Sequence, residues 1–375
     1  MSMKRMLQSI LIALVLLTIT LTAVFFLYQQ QAKFGRLPSG NRLARIEQSP
    51  HYRDGKFHNL APRPDLAKGV SFTKNLWKFL FHEKERPVPV GIIPSMKTTL
   101  SCSDDPRDIL VWFGHSSYFL RVDGKTMLVD PHFSPNASPL SFTTHAFAGT
   151  RPYRAEDMPF IDYVFISHDH WDHLDYKTIL TLRDMAGKFI CGLGVGEHLE
   201  YWGITPDRII EMDWNEATIL DSGFTVHTLT THHFSGRTLR RNPSLWVSFL
   251  LQTPTMRLYF GGDSGFGPHF KEIGERFGGV DLAVLENGQY DANWPYIHMH
   301  PEEVRQAALD LGTKMLLPVH SSKFELANHS WDEPLRRITA LCEGDAFRLL
   351  IPLIGEAVFL ADTSQTFSRW WEGVQ

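Results

Sequence analysis

The most constraining feature of this chain is an apolar run that ends in a knot of metal-binding side chains. Ile161-Asp-Tyr-Val-Phe-Ile166 has the β-branched and aromatic content of a buried strand, and Ser167-His168-Asp-His170-Trp-Asp172-His173 follows it without a break. A loop leaving the end of a buried strand can turn several side chains towards one point. Imidazole and carboxylate are the donors that zinc, manganese and iron accept. His168, His170, Asp172 and His173 together exceed what one tetrahedral catalytic ion needs, because such an ion keeps a position open for water. The surplus predicts two ions, with further donors arriving from other strand ends. His233, Asp263 and His320 each follow an apolar segment and are the predicted partners.

The surrounding pattern predicts where those strands lie. Residues 109–113 and 118–122 read as strands, Asp123-Gly124 as a hairpin turn, and 126–129 as the next strand. Residues 176–186 read as a helix. The second half repeats the logic. Residues 224–228 form a strand leading to His232-His233, and 245–251 with 257–260 form a hairpin ending at Asp263. A strand over 281–285, a helix over 301–311 and a strand over 314–319 then lead to His320. Hairpin, strand and helix occur twice. This predicts an α/β fold of two halves packed face to face, with the strand-end loops along one edge.

Composition narrows the class. Of 375 residues, 43% are hydrophobic and 21% charged, which excludes a disordered or fibrous chain. A net charge of −4 gives no electrostatic footprint for nucleic acid. Cys102, Cys191 and Cys342 contain no CxxC pair, which argues against a thiolate metal site or a disulfide framework.

The amino terminus is different in kind. Residues 6–32 carry no charge, and the apolar centre over 10–28 would be roughly 28 Å long as a helix. That matches a bilayer core of about 30 Å. Lys4 and Arg5 precede it, and the bulky Leu27-Tyr-Gln-Gln-Gln stands where a cleavage site would need small residues. The expectation is a signal anchor over 1–32, a connector with short helices over 33–106, and a catalytic domain over 107–365. A cleaved signal peptide is the alternative. Lys4 and Arg5 place the body outside the cytoplasm, on a bacterial inner membrane, whereas Lys33, Arg36, Arg42 and Arg45 on the other flank count the opposite way. Residues 75–81 set aromatics beside a lysine, either at a lipid interface or in a helix packed on the main domain.

The motif residues carry a specific resemblance. Ser-His168-x-His170-x-Asp172-His173-Leu-Asp is the signature of the metallo-β-lactamase superfamily, and the match runs over most of 108–360. Within it the chain resembles the N-acyl-phosphatidylethanolamine-hydrolysing phospholipase D group. That likeness rests on Trp112-Phe-Gly-His115-Ser, Asp130-Pro-His-Phe-Ser, His233-Phe-Ser-Gly-Arg237-Thr-Leu, Gly262-Asp263-Ser-Gly, His298-Met-His-Pro-Glu-Glu303 and His320-Ser-Ser-Lys-Phe. The resemblance implies a four-layer αβ/βα sandwich; the transmembrane helix expected before it is read from the apolar run alone and is a departure from the best-known animal members of the group. It implies two zinc ions, one on His168, His170 and His233 and one on Asp172, His173 and His320, with Asp263 bridging. His232 is the rival to His233. Asp130 and His115 would hold the ligands in place, Asp172 and His298 would take part in proton transfer, and Arg237 and Tyr290 would meet substrate. The implied reaction is hydrolysis of a phospholipid phosphodiester by a hydroxide shared between the ions. Lactone or β-lactam hydrolysis is the alternative. Redox members of the superfamily usually carry glutamate where this chain has His170, and a scaffold role would predict lost ligands.

Overall fold

The computed structural model describes residues 3–71, 73, 77, 84–101 and 106–374. Except for Trp77, the 75–81 segment lies outside the described residues.

Two seven-stranded sheets form the body. A small hairpin, β1 (Tyr52–Arg53) and β2 (Lys56–Phe57), precedes them. The first sheet contains β3 (Ile109–Trp112), β4 (Tyr118–Val122), β5 (Lys125–Val129), β6 (Ile161–Ile166), β7 (Ala186–Gly192) and β8 (Ile209–Met212), with β16 (Ala357–Phe359) beside β3. The second contains β9 (Ala217–Asp221), β10 (Phe224–Leu229), β11 (Ser248–Gln252), β12 (Arg257–Phe260), β13 (Val280–Glu286), β14 (Thr313–Val319) and β15 (Arg348–Leu349). Each sheet is antiparallel in its hairpin half and parallel beyond it. Pairing turns parallel at β5–β6 in one sheet and at β12–β13 in the other.

Among the described residues, the helices with defined bounds are α1 (Met3–Gln29), α2 (Gly40–Ile46), α3 (Tyr176–Leu182), α4 (Gly196–Tyr201), α5 (His269–Phe277), α6 (Pro301–Asp310) and α7 (Glu333–Leu341). Strands buried on both faces read as continuous apolar runs, and alternate residues serve different layers. In β6, Tyr163 and Phe165 enter the layer between the sheets, where Phe165 meets Phe249 and Phe260 at 5.2 Å. Val164 and Ile166 face the outer layer with Ile179 and Leu182 of α3 and Leu199 of α4. On the far side, Tyr259, Ala283 and Leu316 pack under Phe270, Val304 and Ile338 of α5, α6 and α7. Helix, sheet, sheet, helix is the four-layer sandwich the resemblance implied.

Three expectations are corrected. The helix expected over 176–186 stops at Leu182, and Ala186 opens β7, a strand buried between β6 and β8. A side chain at Gly187 would meet the Asp162 carbonyl at 2.8 Å, so close strand packing claims this stretch. The strand expected from Leu245 begins at Ser248. Leu245 and Val247 instead donate backbone hydrogen bonds to Leu193 and Ser167, tying the two halves together near the motif. Finally, the stretch read as a connector is part of the body. Ile46, Phe57 and Ile93 are buried in the layer between the sheets, as are Trp370 and Trp371 beyond the expected end of the domain.

Candidate metal centre

Each predicted donor stands where a strand ends. The 167–173 loop leaves β6, His233 follows β10, Asp263 follows β12 and His320 follows β14. The backbone there is strained. His115, Asp130 and His320 have φ of 54°, 42° and 66°, a left-handed region that costs a non-glycine residue on the order of 1–3 kcal/mol and clusters at functional sites. Gly262 shows why a glycine precedes Asp263. Its φ is 59°, and a Cβ there would lie 2.8 Å from the Ser167 Cβ.

The predicted donors fall into two sets. His168, His170, His233 and Asp263 form one; Asp172, His173 and His320, with His115 behind them, form the other; and a third group, Asp263, Glu286, His298 and His320, overlaps these two sets. Asp263 touches both. Its Oδ2 lies 3.5 Å from His233 Nε2, 3.9 Å from His168 Nε2 and 3.2 Å from His173 Nε2, and its Oδ1 lies 3.4 Å from His320 Nδ1. His233 rather than His232 enters the cluster. His232 is turned away, against the ring of His269.

The supporting residues have defined tasks. Asp130 is buried and accepts from Ser167 N (2.8 Å), Ser167 Oγ (2.6 Å) and His173 Nδ1 (2.8 Å). The last bond fixes the His173 tautomer and aims Nε2 at the centre. His115 Nε2 holds Asp172 Oδ2 at 2.8 Å. The intervening loop residues face away from the donors and lock the turn. Asp169 accepts from Gly236 N at 2.6 Å and pairs with His198, and Trp171 lies under the Arg237 guanidinium at 4.0 Å.

Arg237 and Tyr290 are not placed at the cleft. Arg237 is buried and donates to the carbonyls of Asp169 (2.9 Å), Leu174 (2.8 Å) and Lys33 (2.9 Å), so it braces the metal loop from behind. The Tyr290 hydroxyl donates to Glu333 at 3.0 Å, and its ring stacks on His329. His298 does face the cleft. Its Nδ1 is 2.5 Å from the buried Glu286, a residue that sequence reasoning missed. Glu286 ends β13 as Asp263 follows β12, and that parallel position was the available signal.

The electrostatics suit cations. Burial holds His168, His233 and His320 well below the usual histidine range, leaving them neutral with a lone pair to offer. Burial also lowers His173, but Asp263, Asp172 and Asp130 outweigh it and raise that group well above the ordinary value. Burial pushes Asp263 up to about 6. Converging carboxylates thus draw positive charge to the point the donors surround. His173 Nε2 and Asp263 Oδ1 are buried there with no hydrogen-bond partner among the described residues. Divalent ions would satisfy both atoms and offset the converging carboxylates, so the residues fit a metal centre.

A cleft of about 390 Å³ opens over the donors. Leu66, Phe234, Trp294, Ile297 and Leu326 give it apolar walls, and Arg241 supplies a cation. The Arg241 guanidinium lies 4.1 Å over the Phe234 ring and 2.8 Å from Asp65.

The β-lactamase superfamily domain model matches residues 125–321, just over half of the sequence and the whole span from β5 to His320. The chain belongs to the metallo-β-lactamase superfamily. An uncharacterized protein of Mycobacterium tuberculosis is 40% identical over 318 residues, 83% of this chain and 85% of that protein. The N-acyl-phosphatidylethanolamine-hydrolyzing phospholipase D 1 of Caenorhabditis elegans is 31% identical over 204 residues, 51% of this chain and 57% of that enzyme. Igni18, a metallo hydrolase from the archaeon Ignicoccus hospitalis, shares the fold with a TM-score of 0.53 at 20% identity, over 67% of this chain and 97% of its own. This member of the superfamily is a metal-dependent hydrolase that resembles the phospholipase D group.

Proposed function

We propose that this chain is a membrane-anchored binuclear zinc phosphodiesterase of phospholipase D type, acting on N-acyl-phosphatidylethanolamine or a related phospholipid. The observation that carries the reading is the cleft, in which apolar walls lead to two donor sets joined by Asp263, with Arg241 alongside. Such a cleft suits a substrate with an apolar body and one anionic group at the reacting end. The phospholipase D likeness of the flanking motifs supports the same class.

Two ions held by His168, His170 and His233, and by Asp172, His173 and His320, would supply Lewis acidity and an activated water at neutral pH. The chain's own groups do the rest. Asp263 keeps the two donor sets in one fixed relation, and Asp130 and His115 hold His173 and Asp172 in their working orientations. Water adds to phosphorus and the bond to the N-acylethanolamine oxygen breaks. We assign to Asp172 the proton that the water gives up and to His298, backed by Glu286, the proton that the leaving oxygen takes up, so that one is lost and one gained. Arg241 offsets phosphate charge from the side of the cleft.

The anchor completes the proposal. α1 is 27 residues long, its most apolar 18-residue window has a mean hydropathy of 2.9, and none of its residues is buried in the body, which supports a single membrane span. We place it in a bacterial inner membrane with the hydrolase body outside the cytoplasm. The test is a turnover panel on metal-loaded full-length protein, using N-acyl-phosphatidylethanolamine, simple phosphodiesters and lactones. Release of N-acylethanolamine and phosphatidic acid is expected. Faster turnover of lactones than of any phosphodiester would overturn the reading.

A further inference from the structure

The end of α1 is gripped by a loop of the hydrolase body. The Tyr28 hydroxyl donates to the Pro139 carbonyl at 2.7 Å. Lys33 Nζ donates to that carbonyl at 2.7 Å and to the Tyr28 oxygen at 2.8 Å. Phe34 packs edge-on against Tyr28, and against Trp171 of the metal loop at 5.0 Å. Just past Pro139 the chain makes a tight turn, with Thr143 N and Oγ1 both returning to the Leu140 carbonyl at 3.1 and 3.0 Å. That turn presents Leu140 and Phe142, 38% and 73% exposed, in a setting otherwise of serine and threonine.

Position gives those side chains a partner. A tyrosine at the end of a membrane span sits at the headgroup level. Pro139 is hydrogen-bonded to Tyr28 and so lies at the same level. Phe142 is three residues further on, within about 11 Å along the chain. The interfacial layer on each side of a bilayer core is about 5–8 Å deep. An aromatic and a leucine at a turn tip beside a lysine are the side chains that enter such a layer.

We infer that the turn over 140–143 is a second membrane contact, with Leu140 and Phe142 inserted into the interface of the bilayer that α1 spans and Lys33 among the headgroups. The inference rests on the reading of α1 as a span. Two separate contacts fix the rotation of the body about the helix. They also hold the metal loop one side-chain contact, Phe34 to Trp171, from the membrane-proximal segment.

The test uses the full chain in mixed phosphatidylcholine–phosphatidylglycerol vesicles. A fluorophore is attached at Phe142→Cys, Phe160→Cys or Val15→Cys in a Cys102→Ser background, with Cys191 and Cys342 left in place because both are buried. Phe160 is the reference. It is 61% exposed and precedes β6, at the strand end remote from the metal loop. Quenching by nitroxide-bearing lipids is read at each site. Strong quenching is expected at Val15, with quenching at Phe142 at least about threefold that at Phe160. Quenching at Val15 with Phe142 no different from Phe160 would overturn the inference and leave the span intact. No quenching at Val15 would overturn the span, and the inference with it.

Discussion

Asp130→Asn isolates one hydrogen bond behind the metal centre. The native carboxylate accepts three bonds, from Ser167 N, Ser167 Oγ and His173 Nδ1. Asparagine is nearly the same size but offers one acceptor oxygen and one NH₂. If that oxygen keeps Ser167 N, the NH₂ lands where Oδ2 stood. The Ser167 hydroxyl can rotate to accept from it. His173 Nδ1 then meets a donor, so its own proton moves to Nε2, the atom that must carry a free lone pair to bind metal. A partner that sets ligand tautomer is worth about 10–100-fold in metal affinity, or about 1.4–2.7 kcal/mol. The assay is competition with a chromophoric chelator, alongside turnover. Affinity and turnover should fall together by that factor while the fold is retained. Metal affinity within about threefold of the native protein would refute this account of Asp130.

Other expectations test separate parts of the site. Asp263→Ala should remove most of the activity and metal together, because it touches both donor sets; retained turnover would refute its bridging position. His298→Ala should lower turnover by about 10²–10⁴-fold with metal content unchanged; a parallel loss of metal would make His298 a ligand instead. Burial lowers Lys323 to about 7 from an ordinary 10.5, so between those values the unfolded chain binds more protons than the folded one. Stability should therefore rise with pH across that window. Denaturation at several pH values should show a shallower rise in Lys323→Met, and equal slopes would contradict the assignment. Deleting residues 1–27, which spares Tyr28 and Lys33, should leave a folded, metal-binding protein held to membranes only weakly, through the 140–143 turn; loss of metal binding would show that the helix itself supports the centre.

What the sequence made legible was whatever local pattern decides. Strand-to-ligand junctions such as Ile166 to His168 and Val319 to His320 need only an apolar run and the residues after it. They placed the donor set and the two-half fold. The rest depends on how distant segments meet. Arg237 matches a motif position, yet its guanidinium is turned to backbone carbonyls of the metal loop, because that loop presents Asp169 and Leu174 to it. Tyr290 likewise turns to Glu333. The cleft wall contains Leu66 and its rim Asp65, from a stretch rich in proline and charge that gave no sign of packing there. β7 was hidden because Ala186-Gly187 has no strand character of its own and is held between β6 and β8.

The central claim is that one chain holds two ions through donors from four strand ends. The direct measurement is metal content per chain, by elemental analysis of purified full-length protein after dialysis with zinc. About two ions per chain are expected. Fewer than about one, in protein that is folded, would contradict a binuclear centre.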